Sequence, residues 1–309
     1  MRVIRALVVV LVGVLLASVG RADAARVGRC EVFPADNWWH ADVSTLPVHP
    51  RSAQWLGHMD SDRDLHPDFG GRYGIPVTTV KGRQRKVKVR FDYAAESDRV
   101  HYPLGRDTRI EGGRGSDGDR HAIVVDRSRC RLYELYAARP VGGGWTAGSG
   151  AVWSLRSNKL RPDGWTSADA AGLPILPGLL RWREVRDDSI DHAIRFTTDE
   201  TSRAHLWPAR HDAGSTGDPA YPPMGARFRL RADYVPPAGM STYARRVVAA
   251  MKTYGLVLAD NGSPWFFQGE RSRRWPDSLV EDLKTIPASA FEAVDTASLQ
   301  VSPDSAAVG

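Results

Sequence analysis

Cysteine is almost missing from this chain: two, Cys30 and Cys130, stand among 309 residues. That is too few for a structural zinc site or a disulfide-dense small scaffold. Long apolar runs are missing too, apart from one near the start, which excludes a bundle of membrane-spanning helices. Lysine is scarce, six residues against 36 arginines, a bias that carries no functional weight. The surplus charge of +6 is small for the length and leaves no nucleic-acid-binding footprint. What is present is ordinary globular composition, 42% hydrophobic and 25% charged, with 27 aromatics of which ten are Trp. Such aromatic content excludes disorder for most of the chain, and this length can bury a core without metal or dense cross-linking.

Familiar catalytic signatures are absent as well. There is no GxxxxGKS/T phosphate cradle, no HExxH and no GxSxG nucleophile elbow. Ser149 lies in Gly148-Ser149-Gly150, which reads as flexible backbone rather than a nucleophile. Asp60, Asp62 and Asp64 alternate like the opening of a calcium loop, but Leu65 and Gly71 occupy positions that an EF-hand gives to Gly and Glu. No cofactor is expected beyond a looser structural calcium at these aspartates, and no catalytic metal.

The start of the chain carries an export pattern. Arg2 and Arg5 precede the apolar run Ala6–Ala17, and Ala22-Asp23-Ala24 presents small residues where a signal peptidase reads. Cleavage near Ala24 removes three Arg and one Asp, so the net charge falls from +6 to +4. The expected organisation is a signal peptide over 1–24, one globular domain over 25–298 and a flexible tail over 299–309. The mature protein is then secreted, extracellular or periplasmic. In an oxidising compartment Cys30 and Cys130 pair, closing a loop that the chain-entropy model values at roughly 4–5 kcal/mol.

Strand patterns recur over Arg85–Tyr93, His121–Asp126, Cys130–Ala137, Ala151–Leu155, His192–Thr197, Ala204–Trp207, Ala226–Ala232, Leu256–Ala259 and Trp265–Gln268. HAIVVD and CRLYELY, separated by a short polar turn, predict a hairpin. Helix is confined to the C-terminal part: Ser241 caps Thr242–Tyr254 with Gly255 as stop, and a second short helix opens at Asp277 or Ser278. The fold class that follows is mainly β, an antiparallel sandwich or jelly-roll-like arrangement with two short C-terminal helices; the alternative is α+β. Two long Gly/Pro-rich loops, Gly105–Arg120 and Asn158–Gly178, are long enough to be functional.

The motifs FPADNWW, HAIVVD…CRLYELY, LRPDGWTSADAAGLPILPGLLR, PPMGARFRL and KTYGLVLADNGSPWFF together resemble a family of secreted bacterial proteins from Cys30 to about Val294. No activity attaches to that resemblance, so it implies export and no residue role.

Function is therefore read from residue chemistry. Aromatics and carboxylates recur together in the loops, as in a site where flat rings carry sugar faces and two carboxyl groups flank the scissile bond. The expected catalytic residues are Glu134, mid-strand in LYELY, with Asp169 as the second carboxyl and Asp260 and His121 as further candidates. Trp38, Trp165, Trp207, Trp265 and Arg210 are the expected substrate-binding residues. The leading expectation is a polysaccharide-active glycoside hydrolase. The alternatives are a non-catalytic glycan-binding or cell-envelope protein, and a polysaccharide lyase using His121, Tyr133 or His205 with Arg203 or Arg210. Each takes an extracellular polysaccharide or cell-wall glycan as partner, with no nucleic acid and no stable membrane anchor.

Overall fold

The computed structural model describes residues 26–309. The expected signal peptide and its cleavage site lie outside the described residues. In chain order the strands are β1 (Arg26–Val27), β2 (Cys30–Glu31), β3 (His66–Asp68), β4 (Val77–Val80), β5 (Val87–Phe91), β6 (His101–Tyr102), β7 (Ala122–Asp126) and β8 (Arg131–Leu135). They continue as β9 (Arg139–Val141), β10 (Gly144–Ala147), β11 (Gly150–Ser154), β12 (Ile194–Thr198), β13 (Arg227–Leu230), β14 (Leu256–Asn261), β15 (Phe266–Gln268) and β16 (Phe291–Val294). Among the described residues four α-helices accompany them, α1 (Ser52–Gly57), α2 (Trp182–Asp187), α3 (Thr242–Thr253) and α4 (Asp277–Leu283).

The protein is mainly β, as expected, with few helices. A six-stranded sheet runs β16-β13-β14-β12-β15-β3, and two four-stranded sheets run β11-β8-β7-β4 and β6-β5-β10-β9. These sheets are mixed rather than purely antiparallel: β12/β14, β15/β3, β4/β7 and β5/β10 pair in parallel. The predicted hairpin is present, with Val124 opposite Tyr133 and Ile123 opposite Glu134. Ala204–Trp207 is not a strand; His205 makes only an isolated bridge to Met224.

The continuous apolar run of β7 has a packing reason. Ala122 and Val124 enter a core with Tyr102, Tyr133 and Trp145, whereas Ile123 and Val125 enter another with Leu132, Leu176 and Leu179. A strand covered on both faces needs apolar residues at every position. The largest core lies between the six-stranded sheet and α3 and α4, with Phe196, Phe228, Leu258, Met251 and Leu283. α3 forms as its sequence predicts: the Ser241 side chain accepts from the Ala244 amide, and Ala244, Val247, Val248 and Met251 are buried. Gly255 follows with φ +72°, and a Cβ there would collide with the Phe228 carbonyl. α1 and α2 were not legible as helices, since each has six residues and neither has a side-chain cap.

Cys30 and Cys130 are disulfide-bonded with Cα atoms 5.4 Å apart, tying β2 to the β7–β8 turn. Residues 299–309, expected to fray, are docked instead. Ala306 accepts from the Trp38 amide at 2.8 Å and donates to the Asn158 carbonyl at 2.7 Å, while the Val308 amide reaches Asp36 at 2.9 Å. The segment satisfies backbone groups of two loops that have no strand partner of their own.

Candidate functional site

The site begins on β12. Ile194 and Phe196 enter the large core, so alternation turns Arg195 and Thr197 to the other face. On the neighbouring β14, Leu258 pairs with Phe196 but Asp260 pairs with Thr197, leaving Ala259 as an extra residue. That bulge re-aims Asp260 to the face carrying Arg195. The long loop after β11 brings Asp169 to the same place. Arg195 then donates from Nε to Asp169 Oδ2 at 3.2 Å, from Nη2 to Asp169 Oδ1 at 3.0 Å, and from Nη1 to Gln268 Oε1 at 2.9 Å. Asp260 Oδ2 lies 3.5 Å from the same Nη2.

Asp169 and Asp260 form the floor of a cleft of about 410 Å³ whose lining also includes Tyr93, Glu96, Asp119 and Tyr136, with Arg195 buried beneath it. Burial pushes the Asp260 carboxyl up, the Asp169 charge adds to that, and Arg195 offsets only part, leaving it at about 7. Burial also raises Asp169, against the pull of two guanidinium N–H groups on its two oxygens. Two acids thus share one guanidinium at the floor, Asp169 gripped through both oxygens and Asp260 at the edge of the same group. His211 sits on the rim, with Nδ1 2.8 Å from the Ala170 carbonyl and Nε2 3.8 Å from Glu96.

Glu134, the leading sequence candidate, is not in the cleft lining. Its side chain is fully buried and accepts the amides of Ile175 at 2.9 Å and Leu176 at 2.8 Å, at the start of a short 3-10 turn. Burial lifts it to about 7, against the pull of those two N–H groups. His121 is buried as well, with Nδ1 2.6 Å from Glu111 and Nε2 3.1 Å from the Ala168 carbonyl. Burial opposes its charge, but Glu111 outweighs this and raises it to about 9, so both ring nitrogens donate. Ser149 donates to the Ser167 carbonyl. Glu134 on β8, with His121 and Ser149 just ahead of β7 and β11, thus tethers the segment 167–176 that carries Asp169. Glu134 and His121 hold this segment rather than line the cleft.

The aromatic candidates divide similarly. Trp38 is buried under the Arg227 guanidinium, 4.6 Å from its ring centre, and Trp265 is buried with Nε1 donating to Met59. Trp207 is half-buried with its indole N–H on the Ser305 carbonyl, and Arg210 is spent on Pro303 and Asp304. Large rings bury more apolar surface in a core than they offer on a rim, and the core claimed these. Trp165 does line a cleft, a second one beside the first. Of the residues considered for a lyase, Tyr133 is buried and accepts from Lys86, and His205 is held between Asp163 and Asp212. Asp60 pairs with Arg63, and among the described residues no group of three or more His, Cys, Asp or Glu is arranged to hold a metal ion.

Sequence reading missed Arg195, Glu111, Glu96, Asp119, Tyr93 and Tyr136. A signal existed for two: Arg195 stands between Ile194 and Phe196 in a strand, and Asp119 lies at the end of one of the two long loops. Comparison of the chain with protein-family models, curated proteins and solved structures finds no match.

Proposed function

We propose that the protein is an exported glycoside hydrolase acting on an extracellular or cell-wall polysaccharide. The observation that carries this reading is the pair of cleft-lining carboxyl groups on one guanidinium: Arg195 grips both oxygens of Asp169, while Asp260, pushed up to about 7, lies 3.5 Å from it and stays partly exposed. Glycosidic cleavage needs one protonated and one ionised carboxyl group near the bond. Asp260 is assigned as general acid. Asp169 has both oxygens engaged and is not free to attack the sugar, so it serves as a fixed negative charge beneath a developing oxocarbenium ion. Asp119, exposed in the cleft lining, is assigned as the base that activates water. Water adds to the anomeric carbon, its proton passes to Asp119, and the glycosidic oxygen leaves with the proton of Asp260. That is an inverting displacement. Tyr93 and Tyr136 supply ring faces for the sugar. Export is supported by the disulfide, and no described helix is long and apolar enough to cross a membrane.

A lyase needs a cation to neutralise a uronate, and the cleft lining contains neither Lys nor Arg. A glycan-binding protein without turnover is favoured by one observation, the closed Asp169–Arg195 pair. The test is the purified protein on a panel of polysaccharides, read by reducing ends and by ultraviolet absorbance. New reducing ends that Asp260→Asn abolishes support the hydrolase. Unsaturated products, or binding without turnover, overturn it.

A further inference from the structure

A second cleft, of about 560 Å³, opens beside the first, and Asp98, Trp153, Lys159, Arg161 and Trp165 line it. The two are joined through the chain: Glu96 and Thr166 line the first, Asp98 and Trp165 the second. Arg161 braces the ridge between them. Its Nη2 donates to the Glu96 carbonyl at 2.7 Å, its Nε to the Thr166 carbonyl at 3.0 Å, and its Nη1 to the Asp98 carboxylate at 2.5 Å. The same guanidinium lies 5.6 Å from the Trp153 ring centre and 5.4 Å from that of Trp165. Trp165 is therefore a half-buried ring held in one orientation, with the charge that holds it already neutralised. An aromatic fixed before the ligand arrives loses little rotamer freedom on binding.

We propose that the second cleft is a subsite for the same glycan. A chain seated over Asp260 continues across the Thr166 ridge and stacks a pyranose ring on Trp165, while Lys159 and Asp98 take its hydroxyls. This rests on the glycan reading above and narrows it: the substrate is a polymer spanning both clefts, not a small glycoside filling one.

The experiment is binding of soluble chito-, cello- and xylo-oligosaccharides and oligogalacturonates, from di- to hexasaccharides, to Asp260→Asn, read by tryptophan fluorescence and calorimetry. Affinity should rise about tenfold or more once the chain is long enough to leave the first cleft. Trp165→Ala should remove that rise without changing disaccharide binding, and Trp165→Phe, which keeps a ring for Arg161, should restore part of it. A flat length dependence, or a Trp165→Ala variant that keeps the rise, overturns the subsite. Length-dependent, Trp165-dependent binding with no turnover by the parent protein leaves the subsite standing and overturns the hydrolase. Lack of binding by every oligosaccharide overturns both.

Discussion

Arg195 holds Asp169 through two parallel contacts, 3.2 and 3.0 Å, with 2% of the one side chain and none of the other left exposed. The pair joins the strand β12 to a loop anchored on a different sheet, so it fixes the cleft floor as well as its charge. Asp260 reaches the same guanidinium more loosely and keeps a quarter of its side chain exposed. One acid is thereby locked and its neighbour left free to exchange a proton.

Arg195→Met should leave Asp169 buried without its cation and cost about 3–5 kcal/mol. Removing both charges, as Arg195→Met with Asp169→Leu, should cost less than the single substitution. Urea unfolding of these two variants and of Asp169→Leu alone checks this; additive losses would show that the pair is not coupled.

Asp260→Asn should lower turnover by ~100- to 10,000-fold while the fold is retained. Because burial pushes Asp260 up to about 7, parental activity should decline as pH rises through that value. Residual activity of the variant should lose that alkaline limb. A pH–rate profile measures both, and an unchanged limb would move the acid elsewhere.

Glu134→Gln should act on stability rather than chemistry. A carboxylate accepts both amides of Ile175 and Leu176, whereas an amide side chain offers one oxygen and sets an N–H against the other donor. A loss of about 1–3 kcal/mol is expected, with turnover per folded molecule within a few-fold of the parent. Melting curves and active-site-normalised rates separate the two effects.

Stability should be highest in mildly acid buffer and fall in steps toward alkaline pH. His121 is raised from 6.5 to about 9, so its contribution is complete below 6.5 and lost as pH rises through 9. Asp260 and Glu134 are raised carboxyls, each at about 7; the folded state holds protons the unfolded chain has released, so stability also falls as pH climbs toward 7. Glu184 is shifted the other way: burial opposes the charge, but Arg181 holds it at about 2, and its contribution is lost as pH falls through that value. Melting temperatures across pH should show this profile, and His121→Asn should remove the upper step.

Reducing the Cys30–Cys130 bond should lower stability by roughly 4–5 kcal/mol. Denaturant unfolding with and without reductant measures the difference. Two free thiols in unreduced, unfolded protein would show that the bond does not form.

The mainly β class, the β7–β8 hairpin, the capped helix α3 and the cysteine pair were all legible in the sequence alone. Each depends on chemistry that repeats or terminates along the chain: alternation, a polar turn, Ser241 before an apolar stripe, two thiols without rivals. Glu134 marks where that legibility stopped. Alternation showed which face it shares with Leu132, but only the loop 167–176 folding over that face decided that it would meet two amides and no solvent. The same holds for Trp38 and Trp265, whose rings carry no mark in the sequence distinguishing core from rim. Asp260 owes its place to a bulge at Ala259, and the cleft draws on segments near residues 93, 119, 167 and 260. A one-residue shift in register and the approach of distant loops are set by long-range packing, so tertiary structure alone could bring Asp169, Arg195 and Asp260 together.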